Sequence, residues 1–433
     1  MKTIFRSTNL LLLLAAIIAF GAVAGMAQDP CTDADGQTKS QDEFDGLYAV
    51  KNDLTVRRKA IDSGKAFLEK YGACASAEVR VNWLKVNVPK METKYAADVA
   101  AAAENALIGR FVNALTAKNF DEVFAAGKEA LSKYPDKYRS FSIVLGSIGF
   151  DEAYKGNTKY SDDGLRFAKA AIADIDAGKE FTLFDKNNKP FTSYGFGGYA
   201  YKTKEDALGY MNLTIGYITN AAQKNQVGSL PYLYKTTQGT SEASKNPIAY
   251  ELVGNYYFTE LNKIVEQITA LSASQNKPGI TPEELQKIVD EIKAKVAMSN
   301  GTSERAMDAF ARAYTYGQAP AYKAKMKKNV EDAYNVRFGK KDGVDPWIMT
   351  AVAKPFVNPT TPIEPIKDPE PVAPVAQPTT APATAPVTAV KPPVTTQTKP
   401  ATSAPAKPAA TPVKTPAKPS ASVKKKTAKK KVV

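Results

Sequence analysis

The feature that most constrains this chain is an amphipathic stretch at residues 119–135, which ends in a proline. Its apolar residues recur at spacings of three and four, the period of one helix face. Small residues at Gly127 and Ala130 let a neighbouring backbone approach that face, and Pro135 ends the helix. The stretch therefore predicts a helix that packs against another helix. The apolar stripe consists of Phe120, Val123, Phe124, Gly127, Ala130, Leu131 and Tyr134.

The same unit is repeated along the chain. Residues 60–71 align with residues 123–134, and residues 164–172 form a weaker third copy. Helical patterns at about 92–117 and 138–156 lie between the copies, so each later copy has a partner helix before it. Repetition of a helical unit predicts an all-α fold in which antiparallel helix pairs stack side by side.

Further helices are predicted downstream, while residues 28–45 are polar and read as an irregular N-terminal arm. Thr281, Pro282 and Glu284 form a capping box with proline in the first turn. We expect the helical domain to span residues 46–354. The downstream helices are expected at 204–223, from 246 past 261, at 281–298, at 303–316 and at 320–338, with a last short turn near 345.

Aromatic residues and glycines interrupt the helical rhythm at residues 181–201. Two short apolar runs flank a polar turn, which predicts a hairpin or an ordered insertion. Exposed Tyr and Phe beside Gly could stack on sugars or anchor a partner; alternatively, the cluster is core. The candidate partner-binding residues are Tyr194, Phe196, Tyr199 and Tyr201.

The first 27 residues have the layout of a secretory signal peptide. Lys2 and Arg6 precede an apolar run at 10–20, and small residues at 25–27 offer a cleavage point. We expect a bacterial periplasmic or secreted protein; the alternative is an uncleaved signal that anchors the chain in a membrane. In an exported chain Cys31 and Cys74 could form a disulfide, or they could be two free buried thiols.

The charge of the chain is concentrated in its tail. Residues 355–433 are rich in proline, alanine and lysine, which predicts a disordered, extended arm. After Pro371 the chain carries eleven lysines and no acid, which accounts for most of the net charge of +14. Such an arm binds polyanions such as envelope polymers, anionic lipid or nucleic acid, unless it is only a solubilising linker. The candidate polyanion-binding residues are Lys424, Lys425, Lys426, Lys429, Lys430 and Lys431.

Enzymatic chemistry has little support in this sequence. Histidine is absent, which removes the commonest general base, the usual nitrogen ligand for metals and every Ser-His or Cys-His pair. A glycosidase needs only two carboxylates, but adjacent acids such as Asp121 and Glu122 are typical of solvated helix faces. We therefore predict no catalytic residue, no cofactor and no metal.

Two sets of residues resemble the two helices of a tetratricopeptide repeat, and residues 119–135 resemble its second helix. The resemblance implies stacked helix pairs with divergent repeats, which bind other macromolecules; the alternative is an unrelated helical bundle. We expect an exported scaffold that binds a protein or another envelope macromolecule and attaches to an anionic surface through its tail. The first-helix set is Tyr250, Val253, Gly254 and Tyr257, and the second-helix set is Ala306, Phe310 and Ala313.

Overall fold

The structure is a computed structural model that describes residues 29–184 and 189–368. The signal peptide predicted at residues 1–27 lies outside these residues, as does the chain after Asp368. Within the described part the chain forms twelve α-helices and one short hairpin. The helices are α1 Ala34–Ala49, α2 Leu54–Tyr71, α3 Glu78–Thr116, α4 Phe120–Lys133, α5 Ser140–Tyr154, α6 Ser161–Asp176, α7 Lys204–Ala221, α8 Gln226–Thr237, α9 Pro247–Ser274, α10 Pro282–Tyr316, α11 Pro320–Phe338 and α12 Val344–Val352, and the strands are β1 Thr182–Phe184 and β2 Pro190–Thr192.

The predicted all-α class is confirmed. The described residues divide into two compact units, with the boundary in the chain between Arg139 and Ser140. In the first unit α1 packs on α2, α2 on α3 and α3 on α4. In the second unit each helix from α5 to α12 packs on the next helix along the chain. Helices that follow one another are thus neighbours in space, as expected for a chain of helix pairs.

The helix at residues 119–135 forms as its periodicity predicts. The Asn119 side chain accepts a hydrogen bond from the Glu122 amide and caps α4, which ends at Lys133 just before Pro135. The middle of the stripe is buried, including Gly127 and Ala130. Helix α4 packs against α3, and Arg110 of α3 pairs with Glu122 and Glu129 of α4. The small residues therefore lie on the buried face, as the sequence indicates.

The prediction of an irregular arm at residues 28–45 is wrong for most of that range. Asp33 caps α1 by accepting a hydrogen bond from the Gly36 amide at 2.9 Å, and Phe44 is fully buried against α2 and α3. A disulfide between Cys31 and Cys74 ties the start of this segment to the residues after α2. The polar composition hid a helix because its stability comes from tertiary packing rather than from helix propensity.

Helix α3 is longer than its sequence suggested. We expected a helix from about residue 92, whereas α3 begins at Glu78 and continues through Pro89. Pro89 lies on the exposed face, so the carbonyl group that its ring leaves unpaired can bond to water. The buried face of this first part comprises Val81, Leu84, Val88 and Met91, at helical spacing.

The hairpin predicted within residues 181–201 is present in the second unit. Strands β1 and β2 pair antiparallel, with Thr182 opposite Thr192. The buried residues around it, including Phe181, belong to a core that α5, α6 and α7 share. The hairpin is therefore attached to the helical body through its aromatic residues.

Two helices that the sequence separated form one. We expected helices at 281–298 and 303–316, but α10 runs unbroken from Pro282 to Tyr316, with the predicted capping box at Thr281. The run Ser299, Asn300, Gly301, Thr302 and Ser303 reads as a break, yet it is buried inside the helix. A second difference is α8, which the sequence analysis did not predict.

The chain after α12 returns along α10 as an extended segment, residues 354–368, which we call the strap. We expected the disordered tail to begin at 355, and for residues 355–368 this is wrong because the strap is hydrogen-bonded to α9 and α10. In the described part of the chain, none of the helices combines the length and apolar character needed to cross a bilayer.

Close helix packing at Gly64 generates a test. A β-carbon at Gly64 would lie 2.8 Å from the Val88 side chain and 3.0 Å from the Phe44 ring. We expect Gly64→Ala to lower the free energy of unfolding by about 1–3 kcal/mol through overpacking. Gly46→Ala is the matched control, because nothing lies within 4 Å of that β-carbon. The control should raise stability by up to about 1 kcal/mol. Urea denaturation measures both, and equal effects would contradict this packing.

Candidate functional site under the C-terminal strap

Side chains of α9 and α10 hold the strap by donating hydrogen bonds to its backbone carbonyl groups. Arg305 donates to two of these carbonyl groups, Asn358 O at 3.0 Å and Pro362 O at 3.3 Å, and also to the Thr361 hydroxyl at 3.1 Å. Two further side chains donate to carbonyl groups of the strap. The Tyr257 hydroxyl donates to Pro359 O at 3.3 Å, and Asn300 Nδ2 donates to Ile366 O at 3.0 Å.

A set of side-chain donors to carbonyl groups is what a proline-containing segment needs. The strap contains four prolines, which have no amide hydrogen, so its demand is mainly for donors to carbonyl oxygens. Two strap amides donate to helices: Lys354 N to Ala351 O of α12 at 3.1 Å, and Ile366 N to Ala297 O of α10 at 2.8 Å. Gly301 allows the close crossing, because a β-carbon there would lie 2.2 Å from Glu364 O. The polar and small run inside α10 is thus the binding surface for the strap.

A buried ion pair lies where the strap begins. Arg312 Nε donates to Asp308 Oδ1 at 3.0 Å, one turn back on α10. Arg312 Nη2 donates to the carbonyl groups of Ala351 at 3.0 Å and Lys354 at 2.6 Å. Its guanidinium also lies 5.2 Å from the ring centroid of Phe356. One arginine therefore connects α10, the end of α12 and the start of the strap.

A second arginine fixes the end of the strap. Arg337 of α11 donates to Glu304 at 3.1 Å and to Asp368 at 2.6 Å. The hydrogen bond from Arg337 lowers the pKa of the Asp368 carboxyl below its ordinary value. Because Asp368 also accepts a hydrogen bond from Asn300 at 3.2 Å, the last described residue is attached to both α10 and α11.

The strap, α10 and α12 line a partly open cavity of about 410 Å³. Its polar walls come from Glu304 and Asp308 of α10 and from Lys354 and Glu364 of the strap. Trp347 of α12 lines it as well. A concave site with apolar walls and a few polar groups is the usual form of a small-molecule site.

Asp308 is the most perturbed carboxylate of this site. Burial raises its pKa from 3.8 to about 6, against the opposing effects of Arg312, Arg305 and Lys354. Its Oδ1 accepts from Arg312, whereas its Oδ2 accepts no hydrogen bond from the residues that the structure describes. A buried carboxylate with an unused oxygen beside a cavity marks a functional-site candidate.

The aromatic residues proposed from the sequence lie together, but mostly against the core. Tyr194 and Tyr201 face each other in an isolated β-bridge, with the Tyr201 amide donating to Tyr194 O at 2.8 Å. The Tyr194 ring packs on Phe181 at 5.4 Å, and the Tyr201 ring stacks on Tyr210 at 4.8 Å. Both rings are therefore part of the packing around α7.

The hydroxyl groups of this cluster are also engaged. Tyr199 donates to Asp151 Oδ2 at 3.0 Å, and the Tyr201 hydroxyl lies 2.9 Å from the Ser147 hydroxyl. Burial raises the pKa of Asp151, which the Tyr199 hydrogen bond opposes. Phe196 is half-buried. These contacts support the core interpretation over the partner-binding one.

The other predicted sites differ in how far the structure describes them. Lys424, Lys425, Lys426, Lys429, Lys430 and Lys431 lie outside the described residues. Within the described part, no three His, Cys, Asp or Glu residues come together as a set that could hold a metal ion. Sequence reasoning missed Asp308, Arg312 and the cavity. The sequence feature that could have pointed to them is the run of small and polar residues at 299–303, inside an otherwise helical pattern.

The core interpretation of the aromatic cluster predicts a loss of stability. Replacing Tyr194, Phe196 and Tyr199 together by Ala removes the ring contact with Phe181 and the hydrogen bond to Asp151. We expect thermal unfolding at a clearly lower temperature than for Phe191→Ser, a control at a ring that is 47% exposed. If the triple variant melts like the control, the cluster is a surface feature and a binding role regains support.

The burial of Asp308 predicts a pH dependence of stability. Its pKa is about 6 in the folded state and 3.8 ordinarily, so between these values the folded state holds more protons and stability falls as pH rises. The difference corresponds to about 3 kcal/mol. Asp308→Asn keeps an acceptor for Arg312 and should remove this fall. We expect the free energy of unfolding of wild type, relative to the variant, to decrease from pH 4 to 7. Parallel curves in urea titrations would contradict this, and Glu364→Gln serves as an exposed control.

No protein-family model, no curated protein and no solved structure matches this chain.

Proposed function

We propose that this chain is an exported helical scaffold that attaches to an anionic polymer or surface of the cell envelope through its basic C-terminal arm. The strap is the observation that carries this proposal. Contacts from Asn300, Arg305 and Arg337 attach the strap, and so the residue after which the arm begins, to α10 and α11. The first lysine after Asp368 is Lys391, so the basic section follows a long spacer. An arm whose starting point is attached to the body, and whose lysines follow a long spacer, could link the body to an anionic surface.

The charge distribution of the body supports this role for the arm. Lysines of α11 are paired within the second unit: Lys325 lies 2.8 Å from Glu251, and Lys327 lies 2.8 Å from Asp345. The arm has no acid after Pro371 to neutralise its eleven lysines. Polyanions release counterions when they bind such a segment, which makes attachment favourable at low salt.

Export has independent support from the disulfide. Cys31 and Cys74 are bonded, and structural disulfides persist in oxidising compartments such as the bacterial periplasm. The signal-like residues 1–27 point to the same route. We propose a periplasmic or secreted location on these two grounds.

A tetratricopeptide-like body that binds a protein or another macromolecular partner completes the proposal. The two sets of residues that resemble the repeat lie on α9 and α10, which pack against each other. Gly254 of the first set meets the Phe310 ring of the second, where a β-carbon would come within 2.6 Å. Paired helices with such complementary small and large residues are typical of repeats that present a binding surface.

The tether is tested with a charge-matched pair of variants. One replaces Lys424, Lys425, Lys426, Lys429, Lys430 and Lys431 by Gln. The control replaces six exposed lysines of the body, Lys85, Lys90, Lys287, Lys293, Lys340 and Lys341, by Gln. We expect the tail variant to elute from immobilised heparin at clearly lower salt than wild type, and the control to elute close to wild type. Equal losses would show that net charge alone decides retention, and the tether would then be wrong.

A further inference from the structure

We propose that the cavity under the strap binds a small organic ammonium ion, whose charged nitrogen contacts Asp308 and whose apolar part lies between Trp347 and Ile366. This site is separate from the tether proposed for the arm. The cavity volume of about 410 Å³ falls within the roughly 300–1,000 Å³ of small-molecule sites. Asp308, Trp347 and Ile366 all line it.

The free oxygen of Asp308 gives the site its preference for a donor. Arg312 occupies Oδ1, and within the described residues nothing donates to Oδ2. The Asp308 side chain is only 16% exposed, and Oδ2 is an oxygen that keeps some accessible surface. An ionised carboxylate accepts hydrogen bonds only. An ammonium group, with its several N–H donors and positive charge, can bind this open acceptor.

The other charged groups near Asp308 that the structure describes do not bind its Oδ2. On α10, Arg305 directs both Nη atoms to the strap, and Arg312 directs Nη2 to two backbone carbonyl groups. Glu304 is paired with Arg337. From the strap, Lys354 and Glu364 contribute opposite charges, and both are exposed to water. The unused acceptor of Asp308 is therefore not taken by any of these charged groups.

Trp347 provides a contact surface for the apolar part of the ligand. Indole is the strongest aromatic partner for a nearby cation and also a large apolar contact surface. Ile366 adds an aliphatic wall from the strap, whose position is fixed by its hydrogen bonds to Ala297 and Asn300. A linear amine with an aromatic or aliphatic end matches this arrangement better than a compact inorganic cation, which would leave the apolar walls unfilled.

Ligand binding should depend on pH because the ammonium ion pairs with ionised Asp308. The pKa of this carboxyl in the free protein is about 6, so most molecules are ionised at pH 7.5 and about one in ten at pH 5.0. Affinity for the amine is therefore expected to fall about tenfold between these two values. The charged groups that face the cavity or its carboxylate are Arg305, Arg312, Lys354, Glu304 and Glu364.

The test compares 2-phenylethylamine with its neutral isostere 2-phenylethanol by calorimetric titration of the mature full-length protein. We expect the amine to bind at least tenfold more tightly than the alcohol at pH 7.5, and to lose about tenfold at pH 5.0. Asp308→Asn should reduce amine affinity at least tenfold. Glu291→Gln, an exposed carboxylate of α10 that does not line the cavity, should change it less than twofold.

Several results would overturn the proposal. Equal affinity for amine and alcohol, an unchanged affinity in Asp308→Asn, or no binding of the amine at millimolar concentration would each do so. Trp347→Ala provides a second variant that leaves the Asp308–Arg312 pair in place, and it should weaken the amine at least fivefold. The variant with six glutamines in the tail should bind the amine like wild type, so failure of the tether and failure of this site can be distinguished.

Discussion

The second unit depends on hydrogen bonds from α10 side chains to the backbone of the strap. Apart from the turn in which Thr361 donates to Asn358 O, the carbonyl groups of the strap need donors from elsewhere, and burying them without donors would be costly. Arg305, Arg312 and Asn300 supply those donors along one face of α10. The same contacts hold α12, border the cavity and set the point from which the tail leaves. Removing that row of donors would therefore affect all three features at once.

The ion pair of Asp308 and Arg312 shows that this arrangement has a cost. Burial disfavours the charged carboxylate more than its basic neighbours favour it, as the raised pKa indicates. A buried pair is weak evidence for stability. What this pair does provide is the connection from Arg312 to the strap and, in our proposal, the contact of Asp308 with a ligand.

The aromatic cluster and the cavity show why residue type alone does not identify a site. Tyr194, Tyr199 and Tyr201 look suited to binding in the sequence, yet their rings and hydroxyl groups contact residues of the second unit. Asp308 looks like an ordinary acid on an amphipathic helix, yet it is buried beside empty space. What distinguishes them is which of their contacts the fold already uses, and that depends on distant parts of the chain.

The sequence by itself determined the all-α class, the ends of α4, α7 and α11, and the hairpin, because local periodicity, capping residues and prolines act within one or two turns. Only the tertiary structure decided that α1 is a helix, that α10 is continuous through Asn300 and Gly301, and that residues 355–368 are held. Each of these depends on partners far along the chain: α2 and α3 for Phe44, and the strap for Gly301. Long-range packing can reverse a weak local preference, and a sequence window does not contain it.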